Sequence, residues 1–514
     1  MTRTRLAATL SAAVIVALTL GGCFPLGLLT NGGSPVESEP TGETVDPALQ
    51  VYYDQVLQWT SCGEGAQCTT ATAPMDWDNP STATDIELAL TRHVATGAAK
   101  GSLFVNPGGP GGSGYDFIHD RDAVDYAVSK NLQENFDVIG WDPRGVGRST
   151  PVTCYDDAGL DAYLFDIPAS KPETPEWVAE LTASAKAFAE SCLEGTGESL
   201  GFVDTLSTVR DLDMLRAVVG DKALNYLGYS YGSEIGTTYI DEFPAKVGRL
   251  VLDGALDPTL TNSEVVITQS AAFEKSLHSY LAACPTLDGC PFTGVLDTDL
   301  ATIRALFDRL QANPVRGSDG RYLDGYLLDT ATTTALYSED SWPYLNDLYT
   351  EAEAGKTETA FLLADFYFGR EDGHYVDNSY QSFIAVQCLD YETLTDPAEA
   401  AALNAAVVAA APTFNRPSTL GDVLCANWPF PFRGEKPGPA SGEGAAPVLV
   451  ISTTGDPATP YEWGVALSQQ LVNAHLVSYA GEGHTAYNKG SVCVNSTVDY
   501  YFINGTVPTA DPEC

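Results

Sequence analysis

Basic residues are scarce in this sequence of 514 residues. Its 26 lysines and arginines stand against 68 acidic residues, which gives a formal net charge of −42. Such a chain cannot neutralise a row of phosphates, so the composition argues against nucleic acid as a partner. It also argues against a polybasic membrane-binding patch. The acidity favours a soluble protein outside the cell and would attract cationic groups such as free amino termini.

The sequence also has only one long apolar stretch, and it lies at the N-terminus. It covers residues 6–20 and follows the positive charges of Arg3 and Arg5. The stretch is too short for a comfortable membrane span and lies where an export signal belongs. We therefore predict that the protein is exported.

The signal ends in Leu20-Gly21-Gly22-Cys23, which resembles the lipobox of bacterial lipoproteins. In that motif the cysteine is lipidated and becomes the first residue. We predict a lipoprotein-type signal peptide over 1–22, a lipid anchor at Cys23 and a flexible tether over 23–50. An ordinary secretory signal with an incidental cysteine is the alternative. The lipid is the only membrane contact that we expect.

No Cys-x-x-Cys pair is present, which argues against a zinc site. Of the eleven cysteines, Cys23 is the expected lipid acceptor, and the even set that remains suggests disulfides in an exported chain. Sequence alone does not fix the connectivity. The simplest pairing joins neighbours along the chain: 62–68, 154–192, 284–290, 388–425 and 493–514.

Short apolar strands alternate with helical patterns, which indicates an α/β fold with a mainly parallel sheet. We predict strands over 101–106, 135–141, 224–228, 249–253, 447–453 and 475–479. Residues 258–440 are instead mostly helical and rich in aromatics. We therefore predict a core built from 51–257 and 441–514, interrupted by a large, mostly helical inserted cap over 258–440.

Gly228-Tyr229-Ser230-Tyr231-Gly232 matches the nucleophile elbow Gly-x-Ser-x-Gly. A predicted strand precedes it and a predicted helix over 233–243 follows, so the serine would stand on a sharp turn with small neighbours. This context predicts an α/β-hydrolase fold with Ser230 as nucleophile. Residues 197–201 contain a second match at Ser199, which we reject because a polar loop containing Cys192 precedes it.

A serine nucleophile needs a base, and the chain order in this fold is serine, acid, histidine. Among the six histidines, His484 lies in a glycine-rich loop just past the last predicted strand. Asp456 follows the strand over 447–453 and would orient that histidine through its Nδ1–H. Asp499 is a rival acid, but it follows the histidine. The triad that we predict is Ser230, Asp456 and His484.

A glycine-rich segment over 106–114 follows a predicted strand and can present backbone N–H groups to a substrate oxygen. We expect the oxyanion hole to combine Gly108 or Gly109 with the N–H of Tyr231. A phosphate-binding loop is a poor alternative, because no Gly-Lys-Ser/Thr follows.

Taken together, these segments resemble the exported tripeptidyl-aminopeptidase-like group of actinobacterial α/β-hydrolases, which are relatives of proline iminopeptidase. The matching segments are 106–111, 142–149, 228–232, 385–390, 455–460 and 481–485. The resemblance implies a serine exopeptidase, without metal or cofactor, that acts on short peptides with a free amino terminus. It implies the same triad.

Recognition of a free α-ammonium calls for a carboxylate near the site. Asp390 in the cap is our first candidate, because it lies near a cysteine expected to form a disulfide. Glu234 is the second, and the Ser233-Glu234 pair departs from the family's usual residues after the elbow.

Two other functions stay open on the sequence. A carboxylesterase or lipase could use the same triad, because the fold hosts both chemistries. A non-catalytic surface lipoprotein could bind peptides without cleaving them. The oligomeric state also stays open.

Overall fold

The computed structural model describes residues 35–171, 174–414, 420–434 and 438–514. The predicted signal peptide over 1–22 and the predicted lipid acceptor Cys23 lie outside the described residues. No helix in the described part of the chain is long and apolar enough to cross a membrane.

A ten-stranded sheet forms the centre of the fold, in the order β1-β2-β3-β4-β6-β5-β7-β8-β13-β14. Its strands are β1 (Val36–Glu37), β2 (Gln58–Gly63), β3 (Ala66–Pro74), β4 (Asp85–His93), β5 (Ser102–Asn106), β6 (Asp137–Trp141), β7 (Leu224–Tyr229), β8 (Val247–Asp253), β13 (Val448–Gly455) and β14 (Ala474–Glu482). The run from β6 to β14 is parallel, and β1 to β4 pair antiparallel. The prediction of a mainly parallel α/β-hydrolase sheet is confirmed.

The antiparallel strands β2 to β4 were not predicted from the sequence. Strands β2 and β3 are rich in threonine and small side chains, so their alternation of apolar and polar positions is weak in the sequence. Strand β4 does alternate, with Ile86, Leu88 and Leu90 at every second position, and that signal was overlooked. Their buried positions, such as Trp59 and Leu88, become apolar core only once the strands pair. Tertiary packing decides these strands more than local pattern does.

Helices cover both faces of the sheet. Leu103 and Val105 of β5 pack into one apolar cluster, and Phe104 between them packs into the cluster on the opposite face. This alternation is expected of a strand buried on both sides. The core helices are α1 (Gln50–Tyr53), α2 (Gly114–His119), α3 (Arg121–Ala127), α4 (Lys130–Asn135), α5 (Asp157–Phe165), α6 (Pro175–Thr196), α7 (Thr205–Val218), α8 (Tyr231–Glu242), α17 (Tyr461–Gln470) and α18 (Val492–Asn504).

The segment between β8 and β13 is mostly helical and has an apolar cluster of its own. Its helices are α9 (Asn262–Ala283), α10 (Leu296–Ala312), α11 (Gly325–Leu336), α12 (Trp342–Glu353), α13 (Glu358–Phe368), α14 (Ser379–Asp390), α15 (Pro397–Ala410) and α16 (Leu420–Cys425). Two small hairpins accompany them: β9 (Val315–Arg316) with β10 (Tyr322–Leu323), and β11 (Arg370–Glu371) with β12 (His374–Tyr375). We call this inserted segment the cap.

The described part of the segment 23–50, which the sequence predicts to be a flexible tether, packs on the core. Strand β1 pairs with β2, and the Glu43 carboxylate lies 2.6 Å from Arg216 and 2.5 Å from Lys246. These contacts hold residues 36–43 against α7 and the sheet. The free length of any tether is correspondingly shorter than the predicted segment.

Five disulfides join neighbouring cysteines along the chain: 62–68, 154–192, 284–290, 388–425 and 493–514. These are the five pairs of the neighbour pairing, the simplest connectivity for the sequence. Cys192 lies on helix α6 and not in a polar loop as predicted, because Ala185, Phe188 and Ala189 give that helix a buried face. The five crosslinks fit an oxidising compartment.

Candidate active site

Ser230 stands between strand β7 and helix α8, with φ of 55° and ψ of −125°. A positive φ is unfavourable for a residue with a Cβ, and such strain is typical of a nucleophile elbow. The flanking glycines are required by space: a Cβ at Gly228 would lie 2.2 Å from the carbonyl oxygen of Gly232. The geometry predicted around Ser230 from its pentapeptide is therefore present.

His484 and Asp456 lie together at the carboxyl edge of the sheet. The Nδ1 atom of His484 is 2.9 Å from both carboxylate oxygens of Asp456. Thr459 adds its hydroxyl, 3.2 Å from the same Nδ1 and 3.0 Å from Asp456 Oδ2. The sequence analysis did not single out Thr459, although it lies three residues after the acid.

The Asp456 carboxylate is fully buried and richly hydrogen-bonded. Burial alone would raise its pKa, but the charge and hydrogen bond of His484 and the backbone N–H groups of Thr459 and Thr485 outweigh that effect. The pKa of Asp456 is therefore held below its usual range. An ionised Asp456 keeps the proton of neutral His484 on Nδ1, which leaves Nε2 as the basic nitrogen.

The Nε2 atom of His484 is buried and has no hydrogen-bond partner among the described residues. The structure therefore shows no hydrogen bond from Ser230 to the histidine. Catalytic hydrogen bonds are commonly long before a substrate binds. From the cap, Tyr337 accepts the backbone N–H of His484 at 2.8 Å and packs its ring edge-on against the imidazole.

The backbone of Gly108 lies against the elbow. A Cβ on Gly108 would be 2.8 Å from Ser230 Cβ and 3.0 Å from the Tyr231 nitrogen, so only glycine fits there. The N–H of Gly108 donates to Asn106 Oδ1 at 2.9 Å. That bond occupies the Gly108 donor and leaves the N–H groups of Gly109 and Tyr231 as the better candidates for an oxyanion hole.

Asp253 is a site residue that the sequence analysis missed. It ends β8, the strand between β7 and β13. Its carboxylate accepts the backbone N–H groups of Ala486 and Tyr487, and its carbonyl oxygen accepts the N–H of Ser230 at 2.8 Å. An acidic residue at the carboxyl end of a buried strand, next to the nucleophile strand, is the signal that could have found it.

A cavity of about 630 Å³ lies along helix α8, between the core and the cap. Its described lining contains no lysine, arginine or histidine and eight acidic residues: Asp204, Glu234, Asp241, Glu242, Asp257, Asp390, Glu392 and Glu399. Ser230, Asp456 and His484 are not among the lining residues. The cavity begins at Glu234, four residues after Ser230, so it adjoins the first turn of the nucleophile helix.

The two acids predicted for amine recognition, Glu234 and Asp390, both line this cavity. Burial raises the pKa of Glu234 to about 7, against a smaller lowering effect of the hydrogen bond from Tyr391. Burial and the neighbouring charge of Glu234 raise the pKa of Asp390 well above its usual range. Asp390 accepts the N–H of Thr205 at 3.0 Å and its hydroxyl at 2.6 Å.

The rival residues lie elsewhere. The Asp499 carboxylate accepts hydroxyls from Ser129 and Tyr487 and the amide of Asn131, and none of these bonds involves His484. Ser199 lies in a short 3-10 helix, Gly197–Phe202, and donates to a backbone carbonyl. The strand-turn-helix context that distinguishes Ser230 is not found at Ser199.

Sequence comparisons identify relatives of this chain. Residues 411–514 match the family described as TAP-like protein. The chain is 34% identical to serine protease Hip1 of Mycobacterium tuberculosis, over 98% of this chain and 96% of that protein. It is 39% identical to Carboxylesterase B of the same species, over 98% of each chain. It is 30% identical to tripeptidyl aminopeptidase of Streptomyces lividans, over 89% and 86%.

A comparison with solved structures finds proline iminopeptidase of Mycobacterium smegmatis. The match covers 81% of this chain and 91% of that one, with 15% sequence identity and a TM-score of 0.35.

Proposed function

This chain belongs to the TAP-like family of α/β-hydrolases and is a serine hydrolase, and we propose that it is an exopeptidase releasing short peptides or residues from free amino termini. The relatives named serine protease and tripeptidyl aminopeptidase support peptide bonds as the substrate class. The observation that carries the proposal is the pair of partly buried carboxylates, Glu234 and Asp390, in an acidic cavity beside the nucleophile helix.

In the proposed reaction, His484 takes the Ser230 proton on Nε2 as the serine oxygen attacks the scissile carbonyl carbon. Asp456 stabilises the imidazolium that forms. The N–H groups of Gly109 and Tyr231 hold the charge on the former carbonyl oxygen. His484 then protonates the leaving amine, and water attacks the acyl-enzyme by the same route.

Charge explains why a free amino terminus would be selected. Two acids with raised pKa values are held in a cavity whose described lining offers no cation, so an arriving α-ammonium would stabilise their ionised forms. The hydroxyl of Thr237 also lines the cavity, and it is buried without a partner among the described residues. Its oxygen could accept a hydrogen bond from the ammonium group.

The position of the cavity suits short products. Four residues along a helix advance about 6 Å, and one extended peptide residue spans about 3.5 Å. An ammonium bound near Glu234 would therefore lie only a few residues from a carbonyl at Ser230. Long stretches of peptide before the scissile bond would not fit this spacing.

Export is part of the proposal, with a lipid anchor at Cys23. The five disulfides support an oxidising compartment. Membrane fractionation of cells producing Cys23→Ala tests the anchor, and membrane retention of that variant would count against it.

The test of the activity is hydrolysis of a matched substrate panel. It contains free-amine mono-, di- and tripeptide anilides, the same anilides with acetylated amines, and short acyl esters. We expect cleavage of free-amine anilides and at least tenfold weaker cleavage of the acetylated partners, because acetylation removes the charge that the acids would bind.

Two variants test whether the activity belongs to this site. Ser230→Ala should abolish cleavage, whereas Ser199→Ala, which changes the other Gly-x-Ser-x-Gly match, should retain it. The 39% identical relative named Carboxylesterase B makes an esterase the second candidate. Ester cleavage without anilide cleavage would establish that alternative and leave the cavity acids without a role in catalysis.

A further inference from the structure

Asp253 takes no chemical part in the proposed reaction, yet it lies at the centre of the site. Strand β8 pairs with β7, which leads to Ser230, and with β13, which leads to Asp456. Asp253 is the last residue of β8, and its side chain is fully buried. It therefore stands at the sheet edge between the strand of the nucleophile and the strand of the acid.

Asp253 contacts both the elbow of Ser230 and the loop that carries His484. Its carbonyl oxygen accepts the Ser230 N–H at 2.8 Å, which ties it to the elbow. Its carboxylate accepts the Ala486 N–H at 3.0 Å and the Tyr487 N–H at 2.7 Å, which ties it to the loop of His484. The next residue also fits closely, because a Cβ at Gly254 would lie 3.1 Å from His484 Cε1.

The loop that carries His484 has a strained backbone. Thr485 and Asn488 have φ of 65° and 61°, which is unfavourable for residues with a Cβ. The amide of Thr485 donates to Asp456, and the next two amides donate to Asp253. Three consecutive amides therefore end on two buried carboxylates, which fixes the strained backbone next to the base.

An ionised carboxylate at position 253 lowers the stability of the folded protein. Burial raises the pKa of Asp253 to about 6, although the Tyr487 and Ala486 amides, Lys489 and His484 all act to lower it. Because an ionised carboxylate with a raised pKa opposes folding near neutral pH, the fold alone does not favour an acid here. A carboxylate does give stronger and shorter bonds to N–H donors than a neutral acceptor.

We propose that Asp253 is a positioning residue, whose carboxylate holds the 485–487 backbone so that His484 Nε2 is presented to Ser230. The inference rests on the proposed roles of Ser230 and His484. It predicts that loss of the carboxylate lowers the rate of proton transfer and leaves peptide binding intact, because the acidic cavity does not include Asp253.

The test is the isosteric substitution Asp253→Asn, measured by kcat, KM and thermal unfolding. Both N–H groups approach Oδ2, and the Ala486 N–H also lies 3.1 Å from Oδ1. The amide therefore replaces a charged acceptor by a neutral one and sets its own N–H₂ against the N–H of Ala486. We expect kcat to fall about 10- to 100-fold, because small displacements of a catalytic group have effects of this size. KM should change less than about threefold, and the melting temperature by only a few degrees. Asp253→Ala should lower kcat in the same way.

Asp299 provides the matched control. It is a buried cap carboxylate that accepts two backbone N–H groups, from Thr293 and Gly294, each at 2.9 Å. Asp299→Asn removes the same kind of bond and should keep kcat within about twofold. The rate of Ser230 modification by a fluorophosphonate should fall with kcat in Asp253→Asn and stay unchanged in Asp299→Asn.

Several results would overturn the inference: Asp253→Asn keeping more than half of kcat, losing no more than Asp299→Asn, raising KM alone, or failing to fold. An unfolded variant counts against it, because the proposed role is to position the loop and not to maintain the fold. An active Ser230→Ala variant would instead refute the proposed function. The two failures are thus distinguishable.

Discussion

Buried carboxylates occur in two regions of this molecule and behave in opposite ways. Asp456, beside His484, has its pKa held below the usual range. Glu234 and Asp390, in the acidic cavity, have raised pKa values. Desolvation acts to raise the pKa of all three, so it does not explain the difference. The difference lies in their partners.

Asp456 faces the imidazole, which can become a cation, and receives backbone N–H groups. Glu234 and Asp390 face each other, two hydroxyls and one backbone N–H, that of Thr205. The charge of Asp456 is balanced from within the chain. Among the cavity acids, Glu242 and Asp204 lie near Arg210 and Arg433, but Glu234 and Asp390 have no basic partner among the described residues. Under the proposed function, the catalytic region is complete within the chain, whereas the cavity would be completed by a positive charge on the substrate.

The largest effect should come from the complete region. Asp456→Asn keeps the shape of the side chain but no longer holds the proton of His484 on Nδ1, so kcat should fall about 10⁴-fold. Asp390→Asn, the matched change in the cavity, should leave kcat within about threefold. Steady-state kinetics on one free-amine anilide measures both. A similar loss of kcat in the two variants would remove the distinction between the regions.

A smaller effect should appear in the pH dependence of KM. As the pH falls through about 7, Glu234 takes up a proton and loses the charge that would bind an ammonium. KM for a free-amine substrate should therefore rise about fivefold between pH 8 and pH 6, because the ionised fraction of Glu234 falls about tenfold while the protonated fraction of the substrate α-amine, whose pKa is about 8, rises about twofold.

Glu234→Gln is the control for this pH effect. The variant cannot titrate at that position, so its KM should be higher at pH 8 and should not rise towards pH 6, where only the substrate α-amine gains a proton. A fivefold rise that persists in Glu234→Gln would assign the titration to another group and weaken the role given to the cavity.

The sequence was informative where one short segment determines the geometry. Ser230 was predicted from its pentapeptide between a strand and a helix, and the structure has both elements there. Asp456 and His484 were placed by chain order and by the strands before them. Their side chains meet because parallel strands end at the same edge of the sheet.

The sequence was less informative where a role depends on strand neighbours or on a single hydrogen bond. Asp253 matters because β8 lies between β7 and β13, which no local pattern reveals. Gly108 and Gly109 looked equivalent, until the structure placed the Asn106 side chain on the N–H of Gly108. The shared cavity of Glu234 and Asp390 likewise required the cap to be folded onto the core.

The most direct test of the account is the ratio of kcat/KM for a free-amine anilide to that of its acetylated partner. It should be measured in the unaltered protein, in Glu234→Gln/Asp390→Asn, and in Glu392→Gln, which changes an exposed acid of the same cavity. The account predicts a large ratio that falls about 10- to 100-fold in the double variant and persists in the control, because the charge-assisted contacts of the ammonium with both acids are lost. A double variant that keeps the full ratio would contradict recognition of the amine by these two acids.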